Sequence, residues 1–116
     1  MSKRILIVDD EKDLGELVDL MLRKAKLDVV CRRLSRGLAA LDACQKDPPN
    51  LLLLDVALPD IHGLEVLRKL KADAATAHIP VVVITALRGE IVSEAVASGA
   101  AGTLLKPFNR AELLQA

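Results

Sequence analysis

A chain of 116 residues has room for one domain, which buries roughly two thirds of its unfolded surface, and no room for a second. Apolar residues make up 52% of it, nearly all Leu, Val, Ile and Ala, and Phe108 is the sole aromatic side chain, so the core is aliphatic and no platform for stacking bases is expected. Lys and Arg number 16 against 16 Asp and Glu, so the formal net charge of zero offers a polyanion no field, and direct nucleic-acid binding is not expected.

Ile5-Leu6-Ile7-Val8 is a short continuous apolar run that stops at Asp9-Asp10. It is too short for a signal peptide, and no stretch approaches the ~20 apolar residues of a membrane span, so a cytoplasmic chain is expected. Leu14, Leu17, Val18, Met21, Leu22 and Ala25 then recur at helical spacing. Leu27 to Cys31 reads as a second strand, and Ser35 is placed to cap a second helix that turns Leu38, Leu41 and Cys44 inward. Asp47-Pro48-Pro49-Asn50 stops that helix before a third strand, Leu51 to Leu54, which ends on Asp55. Cys31 and Cys44 form no CxxC pair and have no second Cys/His pair to complete a metal site, so buried thiols are expected.

Pro59 and Gly63 bracket a loop, and Leu64, Leu67 and Leu70 mark a third helix. A polar, small-residue connection from Ala72 to His78 leads into Ile79-Pro80 and a fourth run, Val81-Val82-Val83-Ile84, that ends on Thr85. A weak fourth helix around Glu90 to Ser98 presents Ile91, Val92, Ala95 and Val96. Gly99 and Gly102 bracket the turn into the last strand, Thr103-Leu104-Leu105, which ends on Lys106. Asn109 and Glu112 form a capping box for a final helix of barely two turns, 110–116, which is expected to be truncated. Continuous apolar strands alternating with helices define a doubly wound α/β domain with a five-stranded parallel sheet.

In such a sheet the carboxyl ends of the strands share one crevice, which gathers Asp9, Asp10, Asp55, Thr85 and Lys106 at one edge. Carboxylates held together repel by about 4 kcal/mol per pair at ~4 Å and an effective dielectric near 20, so a cation belongs among them. Magnesium (Mg2+) suits this donor set, because it is hard, oxygen-seeking and content with one or two carboxylates plus a phosphate. Asp55 is then the candidate nucleophile in phosphoryl transfer, forming an acyl phosphate. Lys106 and the metal would stabilise the transferred oxygens, the Thr85 hydroxyl would bond one of them, and small Ala86 would leave room. A flavin phosphate pocket is disfavoured by the acidic run Asp9-Asp10-Glu11-Lys12-Asp13.

Asp9-Asp10, Asp55-Val56-Ala57-Leu58-Pro59-Asp60-Ile61-His62-Gly63, Thr85-Ala86 and Lys106-Pro107-Phe108, in this order and at these strand ends, resemble the response-regulator receiver domain of two-component signalling. The resemblance covers nearly the whole chain as a single receiver domain, 1–116, and implies a flavodoxin-like fold with strand order 2-1-3-4-5 and a cis bond before Pro107. It implies that Asp55 is the phosphoacceptor, that Asp10, Asp55 and the backbone carbonyl of Ala57 bind magnesium with Asp9 acting through water, and that Thr85 and Lys106 bind the phosphoryl group. It further implies a histidine kinase or histidine phosphotransfer domain as donor. A C-terminal output domain would lie beyond Ala116, and a homodimer would form through the fourth helix, fifth strand and fifth helix. The module would be a self-phosphorylating acceptor rather than an enzyme with a separate substrate. Thr103 departs from the family, which commonly carries an aromatic residue three positions before the Lys. Apolar Ala57 and Leu87 sit where the family tunes phosphate loss, and they predict slow hydrolysis.

Other readings are weaker. A phosphatase of the haloacid dehalogenase type needs a second Asp where Ala57 stands, whereas a receiver-like interaction module independent of phosphate is the alternative that Thr103 keeps open. Arg23, Lys24, Lys26, Arg32, Arg33 and Arg36 read as a solvated basic cluster near the end of the first helix, and His62 and His78 as surface loop residues.

Overall fold

The computed structural model describes residues 3–9, 29–85 and 90–105. Strands β1 (Lys3–Val8), β2 (Val29–Leu34), β3 (Leu51–Asp55), β4 (Val81–Thr85) and β5 (Gly102–Leu105) form one sheet in the order β2-β1-β3-β4-β5. Every pairing in it is parallel. Helix α1 (Gly37–Lys46) joins β2 to β3, α2 (Gly63–Ala72) joins β3 to β4, and α3 (Glu90–Ala97) precedes β5. The expected α/β class and strand order 2-1-3-4-5 are therefore present.

Burial explains why the central strands are continuously apolar. Leu52, Leu53 and Leu54 of β3 and Val81 to Ile84 of β4 are all at most 2% exposed, so successive side chains are buried on both faces of the sheet. Leu6, Val8, Leu52, Leu54, Val81 and Val83 share one face with Ala40 and Cys44 of α1, with Leu64, Val66, Leu67 and Leu70 of α2, and with Ala95 of α3. Ile5, Ile7, Leu53, Val82 and Ile84 alternate with them and are buried on the other face. Burial pushes the Cys44 thiol up to about 11, so it stays protonated as a small apolar core group.

The second strand differs from expectation. It continues to Leu34, so that Arg32 and Arg33 pair with Leu6 and Ile7 of β1 instead of standing at the end of a helix. Arg23, Lys24, Lys26 and residues 27–28 lie outside the described residues. Within the described sheet β2 is an edge, and an edge strand needs no unbroken apolar run; Val30 is 55% exposed and Arg32 is also exposed. The 47–50 turn is clipped back onto β1: Arg4 pairs with the Asp47 carboxylate and donates to the Pro48 carbonyl at 2.9 Å, its backbone N–H donates to Asn50 Oδ1 at 2.7 Å, and its carbonyl accepts from Asn50 N at 2.9 Å.

Helix α1 is capped from a distance. Ser35 does not cap it; Arg36 occupies the N-cap with no side-chain bond of its own. The Asp60 carboxylate, 23 residues on, instead accepts from Gly37 N at 2.9 Å and Leu38 N at 3.0 Å. The buried stripe is Gly37, Ala40 and Cys44, which leaves Leu38 58% exposed, not inward, because it lies about 100° round the helix from Gly37. In α2, Leu64, Leu67 and Leu70 point inward as expected, joined by Val66. The connection after α2 is pinned by buried Thr76, whose Oγ1 donates to the Leu70 carbonyl at 2.7 Å, and by Lys71, whose Nζ donates to Ala77 and Ile79 carbonyls at 3.0 and 2.7 Å. In α3, Ala95 is buried but Val96 is 60% exposed, contrary to the expected inward set. Gly99 follows with φ of 101°, a left-handed turn that closes the helix as Ala100 N bonds the Ala95 carbonyl.

Amide bonds from α1, led by that of Leu38, hold the Asp60 carboxyl below its ordinary 3.8. Such a group stabilises the fold fully above about pH 4, and the contribution fades as pH falls through the lowered folded value. Asp60→Ala should therefore lower the urea midpoint at pH 7, with the gap from wild type closing in melts taken progressively below pH 4.

Candidate functional site

Three of the residues singled out in the sequence meet at the carboxyl edge of the sheet. Asp9 directly follows β1 and is 0% exposed, Asp55 is the last residue of β3 and 4% exposed, and Thr85 is the last of β4 and 3% exposed. Val8 pairs with Leu54, so Asp9 and Asp55 are the next step of the same ladder, on strands roughly 4.8 Å apart. Asp55 in turn pairs with Ile84, which sets Thr85 one residue further along the adjoining strand. The ladder also bonds Asp9 N to the Leu34 carbonyl at 3.0 Å and Val56 N to the Ile84 carbonyl at 3.2 Å. Asp10, Ala86, Leu87, Lys106, Pro107 and Phe108 lie outside the described residues. Thr85 pairs with Leu105, the last described residue of β5.

Two buried carboxylates side by side are costly unless positive charge compensates them. Their donor set is all oxygen, which fits a hard divalent cation and fits a thiophilic one poorly. Among the described residues no group of three His, Cys, Asp or Glu could hold a metal, so the described carboxylates amount to a pair. Ala57 is exposed, and its N–H donates to Asp55 Oδ1 at 3.2 Å.

The backbone of Asp55 is fixed by a residue that sequence reasoning treated only as a loop boundary. Gly63 opens α2 with its N–H on the Val56 carbonyl at 2.8 Å. A Cβ at this position would overlap the Asp55 carbonyl oxygen and lie 2.7 Å from Val56 Cα and 2.9 Å from the Asp55 carbonyl carbon. Only glycine lets the helix start this close to the peptide of the buried aspartate. His62, expected to be a plain surface residue, is exposed but also caps α2, its Nδ1 accepting from Leu64 N at 3.2 Å. His and Gly as consecutive residues before an apolar helical pattern are a weak signal of such a start.

The sheet order and this acidic edge define a doubly wound α/β domain with buried carboxylates at its strand ends, and comparison with known proteins narrows it. Residues 5–116 match the family model of the response regulator receiver domain, and the chain belongs to that family. The DNA-binding response regulator MtrA of Mycolicibacterium paratuberculosis is 36% identical over 115 residues, a match that covers 98% of this chain and 49% of MtrA. The chain thus spans about half the length of that relative. The chemotaxis protein CheY4 of Vibrio cholerae superposes with a TM-score of 0.85 at 28% identity, covering 99% of this chain and 95% of CheY4. The receiver domain of the sensor histidine kinase PA1611 from Pseudomonas aeruginosa, solved with magnesium coordinated in its active site cleft, superposes with a TM-score of 0.85 at 26% identity, covering 99% of this chain and 93% of that one. The chain is a receiver domain of two-component signalling.

Gly63→Ala should destabilise the fold by about 1–3 kcal/mol, as expected when a methyl is forced against atoms that cannot turn aside. Gly37→Ala, whose added methyl meets only the side chains of Ile61, Val66 and Leu58, should cost less in the same urea titration. Equal costs would show that the backbone at Asp55 yields freely.

Proposed function

We propose that this receiver domain takes a phosphoryl group on Asp55 from the phosphohistidine of a histidine kinase or phosphotransfer domain. The observation that carries this reading is the burial of Asp9 and Asp55 as neighbours beside Thr85 at the carboxyl edge of the sheet. In the transfer, an Asp55 carboxylate oxygen attacks phosphorus, the histidine P–N bond breaks, and the imidazole leaves with its electron pair. Asp10, Asp55 and the Ala57 carbonyl would ligate magnesium, with Asp9 orienting a water on it. Bound there, the cation would neutralise the carboxylates and the incoming phosphoryl oxygens. The Thr85 hydroxyl would then donate to one phosphoryl oxygen, and Lys106 would supply a fixed positive charge to another.

The output follows from this chemistry. Asp55 is both substrate and nucleophile, so the module acts as a switch and not as an enzyme that releases a separate product. An output domain beyond residue 116 is consistent with the length of MtrA, which is named as DNA-binding. A homodimer face would involve α3, β5 and residues 110–116, where exposed Val96 offers apolar surface. A cytoplasmic location would suit a partner of a histidine kinase; no helix among the described residues is long and apolar enough to cross a membrane.

Incubation with acetyl phosphate and magnesium should add the mass of one phosphoryl group to the wild type and nothing to Asp55→Asn. Omitting magnesium should suppress the adduct. A wild type that stays unmodified would favour an interaction module that works without phosphate. Once loaded, Ala57→Asn should lose the group several-fold faster than wild type, as followed by mass over time, because a polar side chain can guide water where a methyl cannot.

A further inference from the structure

The residues after Asp55, 56–62, form an arch with two fastened ends. Its base is closed by Gly63 N on the Val56 carbonyl at 2.8 Å and by Ala57 N on Asp55 Oδ1 at 3.2 Å. Its apex is tied to another element altogether. Asp60 Oδ1 accepts from Gly37 N at 2.9 Å and from Ile61 N at 3.0 Å, while Oδ2 accepts from Leu38 N at 3.0 Å. One carboxylate therefore bridges the arch and the first turn of α1, where its charge also suits the helix dipole. An apolar contact runs beside the polar one. Gly37 is buried against the arch, so closely that a Cβ there would overlap Ile61 Cγ2 and lie 3.3 Å from Leu58 Cδ1. The arch and the start of α1 are therefore joined by both polar and apolar contacts.

The base of the arch touches the Asp55 carboxylate directly. A phosphoryl group on its carboxylate removes one acceptor oxygen and redistributes the negative charge that Ala57 N now faces. We propose that Asp60 is a positioning residue which transmits this change to α1, loosening or tightening its first turn and so making the surface around exposed Leu38 dependent on phosphorylation. The proposal rests on Asp55 being the phosphoacceptor. Coupling of this kind is reciprocal, so whatever Asp60 contributes to the response of α1 it also contributes to the retention of the phosphoryl group.

Amide hydrogen exchange on the 116-residue chain tests it, with and without acetyl phosphate and magnesium, the adduct being verified by mass on the same samples. In the wild type, exchange at Gly37 and Leu38 should change by about fivefold or more between the two states, the scale of an N-cap bond, while Asp47 N, bonded to Ala43 at the far end of α1, stays unchanged. Asp60→Ala should still take up phosphate, exchange fast at Gly37 and Leu38 in both states, and lose the adduct at an altered rate. Asp60→Asn, which keeps one acceptor oxygen, should retain part of the response. Loaded wild type with unaltered exchange at Gly37 and Leu38 overturns the coupling alone. A wild-type response that persists undiminished in Asp60→Ala does so too. Absence of any adduct on the wild type removes the phosphoacceptor reading, and the coupling with it.

Discussion

Everything at the carboxyl edge depends on the register in which β3 is held between β1 and β4. Its side chains are buried on both faces, so a slip of one residue would exchange the two faces and carry Asp55 out of line with Asp9. The ends of the run Leu52-Leu53-Leu54 oppose such a slip, since one step would draw charged Asp55 into the apolar interior or push out a leucine whose burial contributes roughly 2 kcal/mol. The same three leucines that make the strand also place a charged group at its end. The core thus aims the aspartate, and the cost of two adjacent buried carboxylates is offset by what the core contributes.

Short-range backbone geometry then refines that placement. Gly63 brings the first turn of α2 against the Asp55–Val56 peptide, and the Ala57 amide holds one carboxylate oxygen. The residues between them gain no regular structure of their own, yet they are fixed at both ends and at Asp60. A segment that is short, bonded to the reactive group and tied to a separate helix is well suited to carry a signal, because few of its dihedrals are free to absorb a displacement. By contrast the surface ion pairs, such as Arg68 with Glu94 at 3.7 Å between α2 and α3, join solvent-exposed groups and contribute little to position.

Membership of the receiver family also bears on the departures. Thr103 is half-buried in β5, an edge of the described sheet, and pairs with Val83 of β4. The match to MtrA covers 49% of that protein, so a receiver domain accounts for only part of its length.

The sequence by itself determined the sheet, its class and the place of Asp9, Asp55 and Thr85 at its edge, because continuous apolar runs admit few structures other than buried parallel strands, and each of these runs stops at a polar residue. It also carried the inward stripe of α2, where Leu64, Leu67 and Leu70 recur at helical spacing. Tertiary structure alone decided the rest. The cap of α1 comes from Asp60 across the fold and not from nearby Ser35, β2 extends through two arginines because an edge may be charged, and Leu38 and Val96 face solvent because helices are oriented by what they pack against. Gly63 is legible in the sequence as a loop boundary and the end of the Asp55 stretch, but only the approach of another backbone shows why a side chain cannot be there. Local pattern identifies groups that can react; contacts between residues distant in sequence decide how they are held.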